Sequence, residues 1–209
     1  MSVVVVSTHL DDAVFSCWHV LASPRADVVV VTVFTGGPHS GVTTPWDADT
    51  GVDSATRMTQ RVEENRAALA VAGRDGINLG LLEGQYGGGT VDPEALRPHL
   101  TAADVVYVPA GIGIRHVNAE HVVVRDASLS IRPDATLYAD QPYCLFRADV
   151  DLPAELAAGR RRLAVHLRSV ERERKAEAIG CYAGELRKLE REFGSCTDPD
   201  RLVGEAIWS

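Results

Sequence analysis

Four β-branched residues in a row, Val3-Val4-Val5-Val6, constrain this chain more tightly than any other feature. A run of that kind offers no polar face, so the strand it forms has to be covered on both sides. Residues 27–34 (DVVVVTVF) and 104–109 (DVVYVP) repeat the demand, and 77–82 and 135–139 complete a set of five strands. Helical patterns fall between them at 12–22, 57–72, 92–102 and 119–131. In the second of these Met58, Val62 and Leu69 share one face, and Gly73 follows as a stop signal. Strands that alternate with helices predict a Rossmann-like three-layer α/β/α fold with a mostly parallel sheet.

With 209 residues, 45% of them hydrophobic and 24% charged, the chain is expected to form a single globular domain over 1–209. The net charge of −8 argues against nucleic acid or an anionic membrane as a partner, since both need clustered positive potential. Cys17, Cys144, Cys181 and Cys196 are scattered, which excludes a zinc ribbon or a dense disulfide framework and fits reduced thiols. No apolar run approaches the roughly 20 residues of a membrane span. No basic segment precedes an apolar stretch at the N-terminus, so a cytoplasmic protein without a signal peptide is expected. The last third carries less information. An arginine-rich stretch at 160–175, interrupted by Glu171 and Glu173, reads as a solvated face; 176–193 reads as one long helix, and 202–208 (LVGEAIW) as a short apolar piece.

In doubly wound sheets ligands bind where loops leave the carboxyl ends of the strands. His9, Gly36, Glu83 and Gly111 all follow expected strand ends and should gather on one rim. The first strand runs directly into His9-Leu10-Asp11-Asp12, one imidazole and two carboxylates where the chain must turn. A cap on the following helix would account for one aspartate alone. A second cluster follows the fourth strand: GIGIRHVNAEHVVV places His116, Glu120 and His121 in a loop and the first turn of a helix. Zinc sites that keep an open position combine histidines with a carboxylate, and His9, Asp12 and one of the two later histidines would make such a set. A spacing of five does not put His116 and His121 on one helical face, which suggests two different jobs.

These motifs resemble the LmbE-like (PIG-L) deacetylases, zinc-dependent hydrolases that remove acyl groups, usually acetyl, from the 2-amino group of sugars. The resemblance extends to the Arg61-x-x-Glu64 helix ending at Gly73 and to YADQPY after the fifth strand. It implies His9, Asp12 and His121 as zinc ligands and Asp11 as general base. His116 would stabilise the tetrahedral intermediate or protonate the leaving group. It further implies a small-molecule amino-sugar substrate; iron or another divalent ion suits the same donors, and a homo-oligomer is compatible with such a chain. Two departures stand out. Leu10 replaces the usual proline, and the compact H-x-D-H is stretched to H-V-N-A-E-H, with Asn118 at the ungapped histidine position and Glu120 in place of aspartate.

Around this centre, Arg61, steadied by Glu64, would reach sugar hydroxyls, although a solvated stripe of Arg57, Arg61 and Glu64 is the plainer expectation. Trp46, in the polar loop 38–54, would stack on a sugar or cover the site. Glu83, Gln85, Tyr86 and Tyr143 would line the pocket. Gly111-Ile112-Gly113 lacks the third glycine of a dinucleotide fingerprint. Alternatives to an amino-sugar deacetylase are an amidase acting on a thiol conjugate and a non-catalytic sugar- or nucleotide-binding protein.

Overall fold

The computed structural model describes every residue except Arg25, Arg115, His116 and Asn118. Seven strands lie in one sheet: β1 (Ser2–Ser7), β2 (Asp27–Gly36), β3 (Asp75–Leu82), β4 (Val105–Pro109), β5 (Thr136–Tyr138), β6 (Arg162–His166) and β7 (Gly204–Trp208). Their order is β3-β2-β1-β4-β5-β7-β6. The first five strands pair in parallel, while β7 runs antiparallel to both β5 and β6. The helices are α1 (Asp12–Ser16), α2 (Trp18–Leu21), α3 (Ser54–Val71), α4 (Pro93–Leu100), α5 (Ala119–Ile131), α6 (Ala154–Ala157), α7 (Ser169–Gly180) and α8 (Ala183–Phe193).

Period-two alternation in β1 explains the layering. Val3 and Val5 join one core, with Phe15, Trp18, Leu69 and Ile179 from α1, α2, α3 and α7. Val4 and Val6 join the opposite core, with Leu96, Leu100 and Val124 from α4 and α5. The expectation of a strand covered on both faces therefore holds. Each fully buried valine contributes about 1.5–3 kcal/mol, which makes β1 a firm mount for the residues that follow it. The strand order reverses about β1, flanked by β2 and β4, which opens the crevice where such sheets bind ligands.

Three sequence expectations need correction. Residues 12–22 are two helices, because the N–H groups of Trp18 and His19 donate to Glu205 of β7 at 2.9 and 3.1 Å instead of continuing one ladder. Residues 176–193 are likewise two helices, α7 ending at Gly180 and α8 starting at Ala183. Tyr182, fully buried between them, donates its hydroxyl to Asn65 at 2.8 Å and so anchors the turn. The stretch 160–175 is largely exposed, as a solvated face should be, but it also holds β6, and its last residue, Lys175, is buried against Glu205 at 2.6 Å. Among the described residues no helix is long and apolar enough to cross a membrane.

Candidate metal and active site

The turn after β1 is tied from within. The Ser7 hydroxyl donates to the His9 carbonyl at 2.6 Å and accepts from Ala13 N–H at 3.0 Å. The His9 N–H donates to Asp12 Oδ2 at 2.7 Å, which folds the aspartate back under the imidazole. Asp11 makes no side-chain cap on α1, so capping does not account for it. His9 Nδ1 stands 3.3 Å from Asp12 Oδ2, and His121, from the first turn of α5, brings Nε2 to 3.6 Å from the same oxygen. Ligand atoms of His9, Asp12 and His121 thus lie within 4.8 Å of one another, all three residues being buried.

Each imidazole is held from its other side. Asp140, just past β5, accepts from His121 Nδ1 at 2.7 Å and from Ile112 N–H at 2.9 Å. A proton on Nδ1 leaves a lone pair on Nε2, and that buried atom has no hydrogen-bond partner among the described residues. His9 Nε2 contacts Glu120 Oε2 at 2.9 Å. Carboxylates behind histidines are the usual support of a metal centre. Burial lowers the His9 pKa, but Asp12 and Glu120 outweigh it and hold the ring's pKa well above its ordinary value. Burial raises Asp12, yet His121 and His9 keep it below the usual carboxylate range.

Asp11 differs from its neighbour. It lines the cavity, and among the described residues its carboxylate accepts no hydrogen bond. Burial, then the adjacent Asp12 charge, pushes its carboxyl up to about 7 against the opposing pull of Arg61 and His9. Adjacent carboxylates driven apart in this way are a mark of acid–base sites.

The cavity above these groups has a volume of about 390 Å³, within the range of small-molecule sites. His9, Asp11, Asp12 and Glu120 line its floor; Arg61, Glu83 and Gln85 form one side, and Pro142, Tyr143, Leu189 and Phe193 an apolar side. Arg61 Nη1 donates to Glu83 at 2.6 Å, not to Glu64 as the helix spacing suggested. Glu64 pairs instead with Arg57, two turns away at 2.8 Å. Both arginines are buried, so the stripe is not solvated.

Trp46 reaches the cavity rim, its indole N–H donating to Glu185 Oε2 at 2.8 Å. Arg57 holds the same glutamate at 3.2 Å. Gly184 makes this approach feasible, because a Cβ there would stand 2.0 Å from Arg57 Nη2. Tyr86 does not line the cavity; its hydroxyl donates to Asp47 at 2.9 Å and secures the loop that carries Trp46. His116 and Asn118 lie outside the described residues. Sequence reasoning gave no role to Asp140, although it lies in the YADQPY segment, and nothing local marked Glu185, Leu189, Glu192 or Phe193 of α8.

No family model and no curated protein matches the chain. Solved structures do. The zinc-inhibited form of a teicoplanin deacetylase is 22% identical at a TM-score of 0.78, the match covering 100% of this chain and 97% of that one. A deacetylase of the antimicrobial A40926 pseudoaglycone is 24% identical at a TM-score of 0.76, with 99% and 95% covered. The hydratase GalB of Pseudomonas putida, which acts on 4-carboxy-2-hydroxymuconate, is 14% identical at a TM-score of 0.59, with 99% and 94% covered. The same architecture therefore also carries a hydratase. Over its whole length this chain has the LmbE-like three-layer α/β/α fold of the teicoplanin deacetylase.

Proposed function

We propose that the chain is a divalent-metal-dependent hydrolase that removes an N-acyl group, an N-acetyl group in the first instance, from a small amino-sugar-containing molecule. One observation carries the reading: ligand atoms of the buried His9, Asp12 and His121 lie within 4.8 Å of one another at the floor of a cavity that a second aspartate, Asp11, also lines. The full-length likeness to two deacetylases supports it.

His9, Asp12 and His121 would hold the ion, and two imidazoles with one carboxylate suit zinc, or another divalent ion such as iron. When bound, zinc polarises an amide carbonyl and lowers the pKa of water towards about 7. Asp11, which binds no metal in this reading, takes the proton of the attacking water at its carboxylate and returns it to the departing nitrogen. Arg61 and Trp46 orient the sugar from the rim. His116 belongs to the proposal on its sequence motif alone, as electrophile or proton donor. We assign the activity to one cytoplasmic domain over 1–209, with neither nucleic acid nor membrane as partner.

The test is acetate release from N-acetylated amino sugars by the zinc-loaded protein. Release that stops on metal removal and in Asp11→Asn supports the reading. Hydrolysis confined to amides of thiol conjugates would select the amidase alternative. Hydration of an unsaturated acid without any amide hydrolysis would move the chain to the hydratases.

A further inference from the structure

The two sides of the cavity differ in chemistry, and the fold keeps them apart. Glu83 and Gln85 follow β3, while Pro142 and Tyr143 follow β5. In the sheet order these strands flank β2, β1 and β4, so the candidate metal ligands, which follow β1 and β4, lie between the two sides. Arg61 of α3 joins the first side through its bond to Glu83. Its Nε is 3.8 Å from Glu185, beyond hydrogen-bond reach, and Nη2 has no partner among the described residues. Those donors remain for the hydroxyls of a substrate.

The second side is hydrocarbon and begins at the centre itself. The Tyr143 ring meets the His121 ring edge-on at 5.4 Å, and the Phe193 ring meets Tyr143 edge-on at a further 5.4 Å. Leu189, one helical turn from both Phe193 and Glu185 on α8, extends the strip toward the rim. Tyr143 and Leu189 are only partly buried, and the cavity lies over what they leave uncovered. Glu185 is drawn off to Trp46 and Arg57, and Glu192 is exposed, so the face between them carries no charge.

A secondary amide is planar and trans, so its acyl carbon and its nitrogen substituent leave the C–N bond in opposite directions. With the carbonyl over His9, Asp12 and His121, one substituent meets Arg61 and Gln85, and the other meets Tyr143, Phe193 and Leu189. A sugar on the hydrocarbon side would leave its own hydroxyls and the Arg61 donors without partners, which is costly away from water. The sugar therefore takes the Arg61 side. We propose that the acyl group removed here is a hydrocarbon chain of medium length, longer than acetyl, laid along Tyr143, Phe193 and Leu189. An acetyl methyl would reach only the Tyr143 end of the strip. This inference rests on the deacylase reading above and names the acyl class within it.

Glucosamine acylated at nitrogen with acetyl, butanoyl, hexanoyl or octanoyl tests it on the zinc-loaded chain, the freed amine being the common readout. kcat/KM is expected to rise about threefold per methylene as far as hexanoyl. Calorimetry on zinc-loaded Asp11→Asn should show the same order of affinities without turnover. Leu189→Ser should cut the hexanoyl-to-acetyl ratio about threefold or more. Leu189→Trp, which fills the strip instead of opening it, should favour acetyl over octanoyl. Fastest release of acetyl, a flat series, ratios unchanged in both variants, or affinities that ignore chain length overturns the inference. So does faster release from octyl N-acetylglucosaminide, with the chain on the anomeric oxygen, than from N-octanoylglucosamine. Release without chain-length preference sinks this inference alone; no release from any of the amides sinks the hydrolase reading and, with it, this one.

Discussion

Asp140 Oδ1 lies 2.7 Å from His121 Nδ1, and that single contact decides which nitrogen of His121 looks toward Asp12. The aspartate is itself locked by the Ile112 N–H at 2.9 Å, so the loop after β4 and the end of β5 jointly set the orientation of a residue on α5. The centre is thereby built from three separate strand ends: β1 through His9 and Asp12, β4 through α5, and β5 through Asp140. Rigid strands give the precision that a loop alone would not.

Asp140→Asn should therefore weaken zinc binding about 10–100-fold without unfolding the chain, because it removes the carboxylate charge behind His121 and leaves one carbonyl oxygen for two donors, His121 Nδ1–H and the Ile112 N–H. Metal titration with a competing chelator measures this. Parent-like affinity would show that His121 is oriented by packing against Tyr143, whose ring meets it edge-on at 5.4 Å.

The two neighbouring aspartates should separate cleanly. Asp11→Asn keeps the metal and loses about 10²–10⁴-fold in turnover, the usual worth of a positioned general base. Asp12→Asn loses metal first, since its carboxylate faces both imidazoles. Metal content and acetate release, measured on the same preparations, distinguish the two; exchanged phenotypes would reverse the assigned roles.

What is legible in the sequence is what neighbours in the chain decide. Val3–Val6 shows a strand buried on both faces because every residue in it is apolar, and His9, Asp11 and Asp12 are contiguous, so half the centre can be read directly. Capture by a distant residue leaves no local mark. Glu205, nearly 190 positions away, takes the N–H groups that would have continued the helix through Cys17. Glu83 draws Arg61 from the partner that helix spacing suggests, and Arg57 reaches Glu64 across two turns. The α8 wall is invisible for the same reason: Glu185 matters through Trp46 and Arg57, on two other elements.

His116 and His121 should fail in different ways. His121→Ala is expected to lose most of its zinc. His116→Ala should retain zinc and thermal stability while turnover falls, if the imidazole assists the departing nitrogen or the developing oxyanion. A His116→Ala protein with undiminished kcat would leave the metal ion and other donors to stabilise the charge unaided.

The buried pair Lys175–Glu205, 2.6 Å apart with neither side chain exposed, predicts how stability responds to acid. Burial raises the Glu205 pKa, but Lys175 and His19 overcome it and bring the carboxyl from 4.5 down to about 2. A carboxylate depressed in the folded state binds fewer protons there than in the unfolded chain. Its contribution is therefore complete above pH 4.5 and disappears as pH falls toward 2, a loss on the order of 3 kcal/mol. Urea unfolding at several pH values should show the parent losing stability through that window more steeply than the double variant Lys175→Met/Glu205→Gln. Single substitutions should be worse than the double one at neutral pH, because each leaves one buried group without its partner. Lys175→Met strands the Glu205 charge with only His19 and two backbone N–H groups, and Glu205→Gln strands the ammonium beside the Phe146 ring. Parallel pH profiles for the parent and the double variant would mean that Glu205 acts through those backbone bonds, pinning α2 to β7, and contributes nothing through its charge.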